Sequence, residues 1–321
     1  MAHQFNSKST ADEVLAGVDL GGKRYLVTGV ASGIGRETAR ALVARGAAVV
    51  GVVRDVAKGN LAIQEVHDAA SQGSGSIQLL AVDLASLRSV REGAAKLIAD
   101  GRPFDAIIAN AGVMATPFGK TVDGFETQFG VNHIGHFELV NRLASLIVDH
   151  GRLVVLSSQA HRVSDVDLED PNFETQDYEP FVAYGRSKTA NALFAVEFDR
   201  RHSERGVRAA SVMPGNSLTD LPRNFSEQEL QGLFETVGNA RAAAGLPPAE
   251  LKEVAQAAAT SVWAAVVADK DAIGGKYLED VGVVEVNDTP NPFADGVRLY
   301  ALDGERAKQL WNKSEQLIAA S

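Results

Sequence analysis

From Lys23 onward the sequence alternates short apolar runs with longer segments that carry apolar residues at helical spacing. Continuous apolar runs are typical of strands buried on both faces, as the strands of parallel sheets are. Strands separated by helices are joined by right-handed crossovers, which place helices on both faces of the sheet. The pattern therefore predicts an α/β fold with a single doubly wound parallel sheet.

The predicted elements cover most of the chain. We expect strands at residues 24–30, 47–53, 77–82, 104–109, 152–157, 207–212 and 276–278. We expect helices at residues 34–45, 56–71, 86–100, 122–149, 181–202, 249–268 and 304–319. Residues 1–22 precede the pattern, and we interpret them as an N-terminal extension to one domain that spans residues 23–321.

Two stretches interrupt the alternation. Residues 163–180 carry seven acidic side chains, and residues 216–248 contain three prolines around a polar helical segment. In an open α/β sheet, the loops at the carboxyl ends of the strands surround the ligand crevice. We therefore predict that both are insertions near a substrate mouth and that the second forms a small helical lid. A peripheral helical decoration is the alternative interpretation of residues 216–248.

Charge and cysteine content exclude several classes of protein. The 31 Lys and Arg against 41 Asp and Glu give a net charge of −10, which argues against a nucleic-acid partner. The chain has no cysteine, which excludes disulfides, thiolate metal sites and cysteine nucleophiles and suits the cytoplasm. No apolar stretch reaches the ~20 residues that span a bilayer. We expect a cytoplasmic protein with a small-molecule partner and no membrane span.

Tyr184 and Lys188 lie four residues apart in the predicted helix 181–202, which places them one turn apart on one face. A nearby ammonium favours the phenolate and lowers the pKa of a tyrosine from its usual value of about 10. Such a tyrosine can act as a general acid or base. The spacing alone also fits a half-buried tyrosine beside a solvated lysine.

A glycine-rich turn, Thr28–Gly35, joins the first strand to the first helix. Glycines let backbone amides approach a pyrophosphate, and the helix N-terminus adds a partial positive charge. The spacing is G-x-x-x-G-x-G rather than G-x-G-x-x-G, and a purely structural turn is the alternative. The residues that we predict to contact the phosphates are Gly29, Ser32, Gly33, Ile34 and Gly35.

Six motifs in this order resemble the short-chain dehydrogenase/reductase superfamily. They are T-G-x-x-x-G-x-G at 28–35, Asn110-Ala111-Gly112, Asn132, Ser157-Ser158, the Tyr184/Lys188 pair, and Pro214-Gly215 followed by Thr219. V-N-H-I-G-H-F at 131–137 and S-S-Q-A-H at 157–161 resemble its retinol-dehydrogenase-like and WW-domain-oxidoreductase-like branch. The resemblance implies a Rossmann-type catalytic domain at residues 23–321, and it allows a homodimer or a homotetramer.

The resemblance also implies a catalytic role for each of four residues. Tyr184 would be the general acid/base, and Lys188 would hold the nicotinamide ribose hydroxyls and lower the tyrosine pKa. Ser158 would hydrogen-bond the substrate oxygen where charge develops. Asn132 would position a water that links Lys188 to solvent. The remaining cofactor contacts implied are Asn110, Ala111, Gly112, Tyr184, Lys188, Pro214, Gly215, Ser217 and Thr219.

The end of the second strand bears on the choice between NAD and NADP. Val53 stands where an NAD enzyme of this family presents an acidic residue, and Arg54 follows it. A guanidinium suits a 2′-phosphate by its charge and its fork geometry, so we predict NADP. The alternative is that Arg54 ends the strand in solvent. We expect Asp83 and Leu84 at the adenine, with helix capping as the alternative role of Asp83.

These expectations combine into an NADP(H)-dependent oxidoreductase that transfers hydride between the nicotinamide and a lipophilic or aromatic alcohol or carbonyl compound. Met114, Pro117, Phe118 and residues 218–225 are candidate apolar wall residues. One alternative is a catalytically silent nucleotide-sensing regulator of the same fold. Another is a light-driven protochlorophyllide reductase, against which the absence of cysteine counts.

Three histidines invite a metal or catalytic interpretation. His133 and His136 lie three residues apart, a spacing found among metal ligands, but no carboxylate or cysteine partner accompanies them. His161 lies close enough to Ser158 to line a pocket. We interpret all three as structural or solvent-facing and predict no metal site.

Overall fold

The computed structural model describes residues 5–217, 227–248 and 251–321. Within these ranges the strands are β1 Arg24–Thr28, β2 Ala48–Val53, β3 Ser76–Ala81, β4 Phe104–Ala109, β5 Ile147–Leu156, β6 Arg208–Val212, β7 Asn216–Ser217, β8 Leu251–Lys252, β9 Tyr277–Glu279 and β10 Gly282–Val283. Eight of them form one sheet in the order β10-β9-β6-β5-β4-β1-β2-β3. The mostly parallel sheet confirms the predicted fold class.

The order of the sheet determines where a ligand can bind. β1 pairs in parallel with β2 on one side and with β4 on the other, so the strand order reverses at this point. β4, β5, β6 and β9 continue in parallel, and β10 returns antiparallel to β9. The carboxyl ends of β1, β4, β5 and β6 therefore meet at one edge, where open α/β sheets bind their ligands.

Helices cover both faces of the sheet. Their bounds are α1 Ala11–Val14, α2 Gly33–Val43, α3 Val56–Ala62, α4 Gln64–Gly73, α5 Leu87–Asp100, α6 Thr127–Phe129, α7 Gly135–Leu143, α8 Pro180–His202, α9 Glu227–Ala243, α10 Val254–Val262, α11 Lys270–Ile273 and α12 Gly304–Ala319. One core contains side chains of α1, α2 and α10, and a second, on other side chains of the sheet, contains those of α5, α7 and α8. Ala11, Val14 and Leu15 are buried in the first core, so part of the N-terminal extension packs on the sheet domain.

The predicted helix at 122–149 is wrong at both ends. Helical backbone begins at Thr127, because the Glu126 carboxylate accepts hydrogen bonds from the amides of Gln128 and Phe129 at 2.8 and 2.7 Å. Such a side-chain cap satisfies the amides that open a helix. At the other end, the β-branched Ile147 already begins strand β5.

Two other predicted helices are shorter or divided. The helix predicted at 56–71 is two helices, because Ile63 leaves helical geometry with φ of −110° and ψ of 27°. The helix predicted at 249–268 begins at Val254, because Leu251–Lys252 pairs as a strand with Asn216–Ser217. Across the three described ranges we find no helix with the length and apolarity that a membrane crossing requires.

Candidate active site

Four predicted catalytic residues come together at the carboxyl edge of the sheet. Tyr184 and Lys188 lie on α8, Ser158 follows β5, and Asn132 lies in a π-helical turn, Gly130–Ile134, between α6 and α7. The Tyr184 hydroxyl is hydrogen-bonded to Ser158. The Lys188 ammonium lies 5.6 Å from the centroid of the Tyr184 ring. Short helix-widening π turns of this kind are frequent at functional sites.

Lys188 is held by the end of strand β5. Its Nζ donates to the carbonyl of Leu156 at 3.1 Å, and its own carbonyl accepts the Ser157 hydroxyl at 2.8 Å. Asn191, one turn further along α8, donates to the same Leu156 carbonyl at 2.8 Å. An ammonium has three N–H donors, so the one bond to Leu156 orients Lys188 and leaves donors for a ligand.

Burial decides the protonation of the tyrosine and lysine. Burial raises the pKa of Tyr184 to about 12, although its hydrogen bond with Ser158 acts in the opposite direction. Burial lowers the pKa of Lys188 to about 8. Removal from water disfavours the charged phenolate, so the pKa of Tyr184 lies above its usual value. A lowering of the tyrosine pKa by Lys188 stays a prediction. Tyr184 is a protonated hydroxyl, ready to donate a proton.

The Asn132 side chain fixes the loop after β4 to the catalytic helix. Its Oδ1 accepts from the amide of Val113 at 2.8 Å, and its Nδ2 donates to the Val113 carbonyl at 2.9 Å. Nδ2 also donates to the Ser187 hydroxyl at 2.9 Å. Both N–H groups of the Asn132 amide are therefore engaged within the protein. The implied water-positioning role stays a prediction.

The glycine-rich turn has a geometry that side chains would block. Gly29 and Gly33 have φ of +78° and +52°, in the left-handed region that favours glycine. A Cβ at Gly35 would lie 2.4 Å from the Gly29 carbonyl oxygen and 2.4 Å from Nδ2 of Asn110. Ser32, the N-cap of α2, makes no side-chain cap, so the backbone amides of Ile34 and Gly35 lack that partner. This cradle fits a pyrophosphate.

Thr28 and Asn110 join the glycine-rich turn to strand β4. The Thr28 hydroxyl oxygen accepts from the amides of Asn110 and Ala111, both at 2.9 Å. Asn110 in turn donates from Nδ2 to the Thr28 carbonyl at 2.8 Å. Gly112 follows, and a Cβ there would lie 3.1 Å from Oδ1 of Asn132. The predicted cofactor loops after β1 and β4 therefore form one connected floor.

Arg54 and Asp55 differ in what they are free to bind. The Asp55 carboxylate accepts from the amide of Lys58 at 3.0 Å and caps helix α3. Arg54 is exposed and has no hydrogen bond or ion pair within the described part of the chain. The acidic neighbour is thus occupied, and the guanidinium is available at the end of β2.

The predicted adenine residues lie at the end of β3. The Asp83 carboxylate accepts from the amide of Ala85 at 3.0 Å, whereas Ser86 is the N-cap of α5. The alternative of Asp83 as the helix cap therefore does not hold. Leu84 is buried, and its carbonyl lies 2.4 Å from where a Cβ of Gly135 would stand, which fixes it against α7.

The segment after β6 leads toward the predicted lid. Gly215 has φ of +96°, and the aliphatic chain of Lys252 lies where its Cβ would be. Ser217 lies in β7 and pairs with Lys252 in β8, whose ammonium forms an ion pair with Asp280. Pro214 directly precedes Gly215. Thr219 and the wall candidates at 218–225 lie outside the described residues.

The insertion at 163–180 is bound to the loop after β4. The Tyr178 hydroxyl donates to the carbonyl of Thr116 at 2.9 Å and accepts from Nε2 of Gln128 at 2.9 Å. The Tyr178 ring packs edge-on against Phe118 at 5.2 Å and against Phe173 at 5.1 Å. Sequence reasoning named Phe118 but missed Tyr178, because no local pattern connects residues so far apart in the chain.

Tyr277 is a second site residue that the sequence did not reveal. Its hydroxyl donates to the backbone carbonyl of Ser158 at 2.9 Å, from strand β9. The same carbonyl accepts the backbone amide of His161 at 3.0 Å and lies 2.8 Å from its ring Nδ1. The backbone of Ser158 is therefore fixed by groups from two parts of the fold.

Comparison with known proteins agrees with this arrangement. The short chain dehydrogenase family model matches residues 23–230. A Streptomyces lividans protein named "Probable oxidoreductase" is 37% identical over 308 residues, which are 94% of this chain and 100% of that protein. The WW domain-containing oxidoreductase of Homo sapiens is 34% identical, with 98% of this chain matched to 72% of that protein.

A solved structure extends the comparison to the fold. It is the crystal structure of an uncharacterized protein from Mycobacterium paratuberculosis, 32% identical to this chain, with a TM-score of 0.70. The match covers 97% of this chain and 98% of that chain.

Proposed function

The chain belongs to the short-chain dehydrogenase/reductase family, in its WW-domain-oxidoreductase-like branch, and we propose that it transfers hydride between NADP(H) and a lipophilic or aromatic alcohol or carbonyl compound. The observation that carries this proposal is the buried Tyr184 hydroxyl, hydrogen-bonded to Ser158 and within 5.6 Å (ring centroid) of the Lys188 ammonium. A proton donor and a hydroxyl partner thus converge where a substrate oxygen would lie.

In the direction of carbonyl reduction, the chemistry assigns a task to each residue. The bound nicotinamide supplies the hydride, which the protein cannot. Tyr184 gives its proton to the carbonyl oxygen of the substrate as negative charge develops there, and the Ser158 hydroxyl donates a hydrogen bond to the same oxygen. Lys188, held by Leu156, stabilises the tyrosinate that remains and offers donors to the ribose. Alcohol oxidation reverses each proton movement.

The cofactor preference is proposed from the end of β2. Arg54 is exposed and unpaired within the described residues, whereas the Asp55 carboxylate is engaged in capping α3. A 2′-phosphate would therefore meet a free guanidinium, and a 2′-hydroxyl would find no free carboxylate at this position. Both observations support NADP over NAD.

The substrate class is proposed from the mouth of the site. Phe118 is half exposed, at 51%, and packs against Tyr178 at the edge of the loop after β4. The same loop contributes Asn110 and Gly112 to the predicted cofactor site, and an exposed aromatic ring on it favours a substrate with apolar or aromatic surface. Helix α9 is joined to the segment at residues 287–296 by a hydrogen bond from Arg241 to the carbonyl of Phe293. We propose that this helix is part of a lid over the mouth.

The proposal is tested by following NADPH oxidation against aldehydes and ketones that range from small aliphatic to polycyclic. We expect turnover with an apolar class and a loss of roughly 10²- to 10⁴-fold in kcat for Tyr184→Phe, with NADPH binding retained. Tyr25→Phe is the matched control, since Tyr25 is an equally buried tyrosine of strand β1. Full activity in Tyr184→Phe would refute the assigned chemistry.

A further inference from the structure

Three histidines are buried near the catalytic groups, and no role in the reaction has been assigned to them. His133 and His136 have 0% exposure and His161 has 1%. Burial lowers their pKa values to about 3, about 4 and about 4, so all three rings are neutral at physiological pH. A neutral imidazole has one N–H donor and one acceptor nitrogen, and its partners determine which is which.

The partners of His136 place its proton on Nδ1. The Thr28 hydroxyl oxygen, 2.9 Å from Nε2 of His136, already accepts the backbone amides of Asn110 and Ala111. A hydroxyl has two acceptor sites and one proton, so the Thr28 proton is left to point at Nε2. Nε2 is therefore the acceptor, and Nδ1–H donates to the backbone carbonyl of Asn132 at 3.0 Å.

The hydrogen-bond partners of His161 also place its proton on Nδ1. Its Nε2 lies 3.2 Å from the backbone amide of Arg298, a group that can only donate. Nδ1 therefore carries the proton, and it donates to the backbone carbonyl of Ser158 at 2.8 Å. Tyr277 donates to this carbonyl as well, and its hydroxyl oxygen lies 3.0 Å from Nδ1.

His133 provides the contrast, three residues before His136. The Ser314 hydroxyl donates to the carbonyl of Leu310 at 2.9 Å, so its oxygen is left to accept from Nε2 of His133 at 2.8 Å. Nδ1 of His133 has no partner within the described chain. His133 is thus the Nε2–H tautomer, directed at helix α12 and away from the catalytic carbonyls.

We propose that His136 and His161 are positioning residues, each a neutral Nδ1–H imidazole that holds the backbone carbonyl of a catalytic residue, Asn132 and Ser158 respectively. The catalytic part of this inference rests on the proposed function. His136 also accepts from Thr28, whose oxygen is bonded to the amides of the cofactor floor. It therefore links the glycine-rich turn to the π turn at Asn132 through two hydrogen bonds.

The tautomers can be measured without any substrate. Long-range ¹⁵N–¹H spectra of the protein labelled at histidine distinguish Nδ1–H from Nε2–H rings, and one His→Asn variant per site assigns the signals. We expect Nδ1–H for His136 and His161 and Nε2–H for His133. An Nε2–H ring or a charged ring at pH 7 for His136 or His161 would overturn the proposal, whatever the enzyme reduces.

The kinetics of variants then distinguish a positioning role of these histidines from a contribution to packing alone. Asparagine can place an amide N–H near the position of Nδ1–H, whereas leucine fills similar space without a donor. We expect His136→Leu and His161→Leu to lose on the order of a hundredfold in kcat, as small displacements of catalytic groups do. The Asn variants should recover most of the loss.

His133→Leu and His133→Gln are the matched controls, because this ring is equally buried and contacts Ser314 of α12 instead. Both should retain kcat, whatever they do to stability. Asn variants that fold and bind NADPH but are as slow as the Leu variants would overturn the proposal. If a Leu variant fails to fold, the Asn variants and the spectra decide. A wild-type protein without turnover would refute the proposed function, and the spectra would still test the tautomers.

Discussion

The two sides of the candidate site differ in the groups that form them. The cofactor side, at the ends of β1 and β4, is mostly backbone: the turn Thr28–Gly35, glycines with positive φ, and amides that meet the Thr28 hydroxyl. The catalytic side, at β5 and α8, consists mostly of buried side chains whose partners come from distant parts of the chain. The first side should therefore respond to steric changes, and the second to changes of proton content.

Lowering the pH should give the largest difference between the two sides. His133, His136 and His161 have pKa values lowered to about 3 to 4 in the folded protein, against about 6.5 when unfolded. The unfolded chain binds more protons between these values, so their contribution to stability is complete above pH 6.5 and is lost as the pH falls toward 4. Each histidine should cost about 1.4 kcal/mol per pH unit in that window.

The measurement is urea unfolding between pH 7.5 and 4.5. His133→Gln should reduce the slope of unfolding free energy against pH, because it removes one of the three titrating rings. A wild-type slope close to zero would show that these rings are not the neutral, buried groups on which the comparison depends.

The steric response of the cofactor side is tested at Gly35. Gly35→Ala should destabilise the protein by about 1–3 kcal/mol, because its Cβ would meet fixed backbone at Gly29. It should also weaken NADPH binding. Gly232→Ala, on exposed helix α9 with open space around it, should instead gain about 0.5–1 kcal/mol. Thermal unfolding and NADPH titration of both variants test this prediction. Equal effects of the two substitutions would show that the cofactor side is not especially sensitive to steric change.

The smallest expected effect concerns Arg54. Arg54→Ala should raise the NADPH Kd by about tenfold or somewhat more, since a hydrogen bond to a charged group contributes about 1.5–3 kcal/mol. NADH binding should hardly change, because the 2′-hydroxyl gains nothing from the guanidinium. Lys58→Ala, on the neighbouring helix α3, is the control for lost surface charge. An equal loss for both cofactors would contradict the role assigned to Arg54.

The same division explains what the sequence could predict. The glycine-rich turn, the strands on either side of it and α8 follow from local patterns, and the structure places them together at one edge. The start of the helix at Thr127 depends on the Glu126 carboxylate, and the Tyr277 bond to Ser158 joins residues more than a hundred positions apart. Such contacts depend on tertiary packing, which leaves no periodic signal in the sequence.

The histidines show most plainly the limit of prediction from the sequence. His133 and His136 share a helix, a residue type and a depth of burial, and the sequence analysis gave them one interpretation. Their opposite tautomers come from Thr28 and Ser314, which lie near opposite ends of the chain. A single sequence contains no sign of which ring nitrogen will find a donor.

The short pairing of β7 with β8 has an evolutionary consequence. These two strands form a separate two-stranded sheet, in which Asn216 lies directly opposite Leu251. The span between these points is thus closed at its base, and lengthening a closed loop costs little, only ~0.6 kcal/mol for each doubling. We expect insertions in this span to cost little stability, so that its length can change in evolution without disturbing β5 and α8.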